Sequence, residues 1–189
     1  MDFVFALDSS TSTGAQNWIN IKNLVIRIIS NFSVTPEDAR FSVFRFNRRI
    51  DRTREFFLNT YAGNESAMVA AIQNLPYRGW GSYVGRALRH ARDVSLAPSS
   101  GNRVGYKDVI LTVTDGRTYD DALTISNELR NQNVTTYAVG VEPVNGRTIA
   151  HNTLLEIAGR SANRFLPALT GFDETHNQII AALKRDLCA

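Results

Sequence analysis

The stretch DFVFALDSSTS, residues 2–12, decides the fold. Phe3 to Leu7 is an unbroken apolar run, the pattern of a central parallel strand covered on both faces. It ends abruptly at Asp8, and a loop of small hydroxyl residues follows. Trp18, Ile21, Val25, Ile28 and Phe32 then recur at helical spacing, so residues 15 to 31 read as a helix. A buried strand, a polar loop and an amphipathic helix make the first half of a parallel crossover.

The same alternation continues outward. Arg40 to Phe46 reads as a strand, and Arg49 to Arg54 as a shorter one joined to it by a turn around Asn47. Met68, Ile72 and Leu75 mark a short helix, and Val84, Leu88 and Ala91 a longer one stopped near Pro98. After the polar loop PSSGNRVG come the strand Asp108 to Thr114, a helix through Leu123 and Leu129, and the strand Val134 to Val141. A helix around Leu154 to Ala158, a short strand near Arg164 to Leu166, and a last helix carrying Ile179, Ile180, Leu183 and Leu187 complete the chain. The reading predicts one α/β domain over residues 1–189. Its single open sheet has six strands, mostly parallel with one antiparallel edge strand, and helices on both faces.

Composition fits a globular domain: 43% of the 189 residues are apolar and 21% charged, with a net charge of +3. No segment approaches the 18 or so consecutive apolar residues that a membrane span needs. The charge is too small to imply nucleic acid, and the local group Arg45, Arg48, Arg49, Arg52 and Arg54 reads as a solvated hairpin face. Met1 leads straight into the first strand with no signal-like segment, so secretion would make this a domain excised from a longer protein. Three sequons, at Asn31, Asn64 and Asn133, favour secretion. The single cysteine, Cys188, is read as a free thiol or as half of a bridge to a residue outside this chain.

In open parallel sheets the ligand site lies at the carboxyl ends of the strands. Three oxygen-bearing segments are predicted to meet there: Asp8, Ser10 and Ser12 after the first strand, Ser82 at the start of the third helix, and Asp115 after the strand VILTVT. Carboxylates and hydroxyls suit hard cations, and two acids leave a divalent ion partly unneutralised. Mg²⁺ or Mn²⁺ fits this donor set best, with Ca²⁺ and Zn²⁺ as alternatives. Taken alone, DSSTS reads as an ordinary helix N-terminus, and the other two segments tip the reading toward metal.

Catalytic readings find little. The chain has neither GxGxxG in its first loop nor GxxxxGK[ST] anywhere, and no GxSxG elbow around Ser10. A phosphatase using Asp8 would want a second acid in place of Ser10. His90, His151 and His176 are scattered on predicted helices and form no zinc motif.

With Asp8-x-Ser10-x-Ser12, Ser82 within GSYVGRAL, and Asp115 within LTVTDGR, the chain resembles the von Willebrand factor type A domain along essentially its whole length. RFSVFRFNRRI, AAIQNLPYRGWGSYVGRALRHA and TTYAVGV resemble its matrilin and collagen VI branch. The resemblance implies a complete metal-ion-dependent adhesion site, with serine at 82 where the family has threonine. It implies a non-enzymatic, secreted, metal-dependent adhesion module of the extracellular matrix. A partner carboxylate would complete the metal shell, with collagen the leading partner. Trp80, where glycine is usual, and Tyr83, Arg117 and Tyr119 are candidates for the partner-binding rim. Two alternatives accompany this reading: a structural matrix-assembly domain with a metal-independent interface, and an intracellular metal-dependent assembly factor.

Overall fold

The computed structural model describes residues 1–167 and 172–187. Cys188 lies outside them. Five strands form one sheet: β1 (Asp2–Asp8), β2 (Arg40–Phe46), β3 (Asp108–Thr114), β4 (Thr135–Gly140) and β5 (Phe165–Pro167). Their order is β2-β1-β3-β4-β5, and every pairing is parallel. β1 sits between β2 and β3, with Phe3 level with Phe41 and Val109. All seven of its residues are buried, which is why its sequence is apolar without alternation.

Each face of the sheet has its own core. Phe3, Phe5 and Leu7 point to one side, against Trp18, Ile21, Val25 and Ile28 of α1 (Ala15–Ile29) and Ile179 and Leu183 of α6 (Phe172–Leu187). Val4 and Ala6 point to the other. There they meet Val84, Ala87 and Leu88 of α3 (Val84–His90), Ile125 and Leu129 of α4 (Leu123–Asn131), and Leu154 of α5 (His151–Ile157). The shorter α2 (Glu65–Gln73) adds Met68 and Ile72 to the first face. Trp18, nearly fully buried, satisfies its indole by donating from Nε1 to the Leu75 carbonyl at 3.0 Å.

The sixth, antiparallel strand is a correction. Among the described residues the sheet has five strands, all parallel. The segment expected as a strand, Arg49 to Arg54, touches β2 through isolated bridges only, at Phe46–Ile50 and, just beyond it, Val43–Phe56. Its own polar side chains compete with a ladder. Asn47 Oδ1 accepts from Arg49 N at 2.9 Å, and Asp51 Oδ1 accepts from Thr53 N at 3.2 Å. These local turns consume donors that a strand would need. The third helix also departs from regularity: after His90 it loosens into a π-helical turn over Ala91–Ser95 before Pro98.

Candidate functional site

β1 and β3 end side by side, which places Asp8 and Asp115 on the carboxyl edge of the sheet, and the loop before α3 brings Ser82 to the same place. Asp8 is the hub. Ser10 N donates to its Oδ1 at 2.8 Å, while Ser82 Oγ and Thr114 Oγ1 donate to its Oδ2 at 2.8 and 2.7 Å. Ser10 Oγ lies 3.2 Å from Ser12 Oγ and 3.4 Å from Thr13 Oγ1. Asp115 Oδ1 accepts from Arg117 N at 2.9 Å, and its buried Oδ2 has no partner among the described residues. Hydrogen bonds thus link Asp8, Ser10, Ser12 and Ser82, while Asp115 stands at the same sheet edge and bonds to none of them among the described residues. All but the half-buried Ser12 are buried.

The electrostatics follow from burial. Loss of water pushes the Asp8 carboxyl up to about 6, against the opposing hydrogen bonds from Thr114, Ser82 and Ser10. No cation contacts it: among the described residues every group bonded to Asp8 is a hydroxyl or a backbone amide.

Above this network lies an open cleft of about 540 Å³, lined by Ser12, Trp80, Arg117, Tyr119, Val144 and Arg147 among others. Trp80 is 60% exposed, Tyr119 79% and Val144 60%. Trp80 is held by its backbone: its N donates to Thr11 Oγ1 and its carbonyl accepts from Thr11 N, both at 2.8 Å. Its φ of +75° is rare for a large side chain. A Cβ at Gly81 would sit 2.9 Å from the Tyr119 ring, so any larger residue there would push that exposed ring aside. Tyr83 packs its ring 5.8 Å from that of Tyr119, and Arg117 turns away to donate to the Thr148 carbonyl.

Sequence reading missed several participants. Thr114 ends a strand otherwise read as core, yet it donates to Asp8. Thr11, Val144 and Arg147 come from loops, where no periodicity marks a role. The hydroxyl-rich composition of residues 9–13 was the available signal for Thr11 and Thr13.

A family model for the von Willebrand factor type A domain matches residues 2–181. The chain belongs to the von Willebrand factor type A family. It is therefore a non-enzymatic module. Mouse matrilin-2 is 31% identical over 191 residues, spanning 100% of this chain and 19% of that protein. The mouse collagen alpha-1(XX) chain is 30% identical over 143 residues, covering 76% of this chain and 11% of its own length. This von Willebrand factor type A domain thus spans less than a fifth of either relative. Proximal thread matrix protein 1 from the mussel byssus superposes with a TM-score of 0.82 at 21% identity, over 97% of this chain and 47% of that one. At that identity the likeness carries the fold alone. Among the described residues no helix is long and apolar enough to cross a membrane.

The expected metal centre is corrected. Among the described residues no group of three or more His, Cys, Asp or Glu side chains is placed to hold a metal ion. The cluster contributes two carboxylates, and Asp8 is already engaged by three donors. Ser10 and Ser12 are turned toward each other. The complete metal-ion-dependent adhesion site, the cofactor Mg²⁺ or Mn²⁺ (or Ca²⁺ or Zn²⁺), and adhesion through a metal-bridged carboxylate are set aside together. The intracellular metal-dependent assembly factor falls with them.

Proposed function

We propose that this domain is a structural, protein-binding module of the extracellular matrix that engages its partner through a metal-independent interface. The observation that carries the reading is the rim of Trp80, Tyr119 and Val144, exposed around an open cleft and anchored by short loops. Large aromatic side chains held rigidly in place lose little entropy on binding and are the usual anchors of an interface. Asp8, Ser10, Ser12 and Ser82 act beneath the rim as a polar frame that ties the loop after β1 to the loop before α3, with Thr114 joining it from β3 and Asp115 shaping the loop that follows.

The partner is a fibrous matrix protein, with collagen the leading candidate. Similarity to matrilin-2 and to collagen chains supports this, as does secretion inferred from the same relatives. The domain, taken as residues 1–189, would sit within a longer secreted chain, and Cys188 would bridge to a residue outside it. Glycan acceptors are Asn64 and Asn133. Asn31 is the poorest of the three, because its Nδ2 already donates to the Arg27 carbonyl at 2.8 Å.

The test is binding to immobilised triple-helical collagen by the domain and by Trp80→Ala. An interface anchored on Trp80 loses about 2 kcal/mol or more of affinity, roughly thirtyfold, with the thermal midpoint unchanged. Undiminished binding by the variant would move the interface off this rim.

A further inference from the structure

A second surface, on the α3 side of the molecule, carries a concentration of unneutralised positive charge. An open cavity of about 460 Å³ is lined by Arg49 and Arg52 from the loop after β2, by Arg86 and Arg89 from α3, by Ile50 and Val94 between them, and by His90 and one acid, Asp93. All four guanidinium-bearing residues are exposed. Arg86 and Arg89 are three residues apart on a helix and so share one face.

The acids nearby are already committed. Asp51 is ion-paired with the buried Arg45 and accepts from Thr53, Glu55 is bonded to His90 at 2.5 Å, and Asp93 is paired with Arg92. The Asp93 carboxyl is lowered chiefly by its Arg92 hydrogen bond, with Arg89 contributing at a distance. Arg49, Arg52 and Arg89 therefore face solvent with no ion pair among the described residues.

The cavity is not isolated. A neighbouring hollow of about 330 Å³ shares Arg49 and Ile50 with it and continues past Arg48 and Arg78 to Trp80. Six exposed arginines thus line one continuous track rather than a single pocket. A track suits a long polyanion, whereas one small anion would use only part of it.

Its lining also selects among polyanions. Arg48 already lies over the Trp80 ring, 4.4 Å from its centroid, and the one ring lining the cavity beside α3, His90, is buried and engaged by Glu55 and Phe44. Bases would find no stacking platform there. Ile50 and Val94 are only half-buried fillers between arginines, with no exposed apolar wedge to enter a lipid layer. Guanidinium groups bind tetrahedral oxyanions through paired N–H donors.

We propose that this arginine track binds a sulfated linear polysaccharide, chiefly through Arg49, Arg52 and Arg89 beside α3, and meets the rim at the carboxyl edge of the sheet only at Trp80. The experiment measures affinity for heparin oligosaccharides across a salt series. It compares the domain with Arg49→Ala/Arg52→Ala/Arg89→Ala and with a charge-matched control, Lys22→Ala/Lys184→Ala/Arg185→Ala, all checked for unchanged thermal midpoints. The track variant is expected to bind roughly tenfold or more weakly at about 0.1 M salt, with a shallower salt dependence by about two to three counterions. The control is expected to stay within roughly threefold of the parent. Equal weakening of both variants would overturn the proposal, leaving only diffuse charge. Tighter binding of a single-stranded oligonucleotide of matched length, or no heparin binding at low salt, would overturn it as well.

Discussion

β1 begins and ends with a fully buried aspartate, and the two ends are built in opposite ways. Asp2, at the amino edge of the sheet, is clamped by Arg103. The guanidinium donates from Nη2 and Nε to Oδ1 at 2.6 and 2.9 Å, and Arg103 N donates to Oδ2 at 2.6 Å. The rest of that guanidinium reaches the carbonyls of Met1, Pro36, Glu37 and Asp38. Asp8, at the other end of the strand, has no cationic partner among the described residues and is held by two hydroxyls and an amide. One end neutralises its charge and ties distant loops into the fold. The other keeps a carboxyl whose ionisation is opposed by burial, and it is this end that carries the exposed rim. Stability is built at the first edge and given up at the second, as expected where a surface is shaped for binding.

Arg103→Ala should have the largest effect. It strands a buried carboxylate and several carbonyls, so unfolding by urea should show a loss of about 3–5 kcal/mol. A loss below about 1 kcal/mol would mean that water replaces the clamp easily and that the two ends of β1 are not so different.

Asp8→Asn sharpens the contrast by its sign. The folded Asp8 holds its proton up to about pH 6, whereas the unfolded carboxyl releases it near 3.8. Between these values the native state binds more protons, so this group's contribution to stability falls as pH rises. The amide removes that dependence. The variant should gain on the parent by ~1–3 kcal/mol between pH 4 and 7, read from melts across that range. A difference that does not change with pH would contradict the strained-carboxyl description.

Asp186 gives a smaller effect with the opposite sign. Burial alone would raise its carboxyl, but hydrogen bonds from Arg185, Arg164 and Tyr137 outweigh this and bring it down to about 2. Its stabilisation is complete above about pH 4 and is lost as pH falls toward 2. Asp186→Asn should therefore cost about 1–2 kcal/mol at neutral pH, shrinking to little at pH 2. A cost that persists unchanged at pH 2 would place the effect in packing rather than charge.

Much of the fold was legible because burial on both faces writes itself as continuous apolar runs. The strands read at Arg40 to Phe46 and Asp108 to Thr114 coincide with β2 and β3, and the first helix, read to residue 31, ends at Ile29. Where short polar side chains bond to their own backbone, the pattern misled. Arg49 to Arg54 reads as a strand joined to β2 by a turn around Asn47, yet Asn47 and Asp51 turn it into bends. That Asp8, Ser10, Ser12, Ser82 and Asp115 lie at one sheet edge followed from topology, since each stands at or just beyond the end of a strand or the start of a helix there, or in the loop between them. What those residues do there did not follow. Residue types alone suggested a cation, whereas the geometry spends Asp8 on Ser10, Ser82 and Thr114. The clamp from Arg103 to Asp2, 101 residues apart, left no local signature at all.

The central claim is that the rim works without a metal. Its most direct test is binding to immobilised triple-helical collagen with Mg²⁺ present, with Mn²⁺ present, and after exhaustive chelation. The account predicts one affinity under all three conditions. Binding that disappears on chelation and returns with either ion would contradict it.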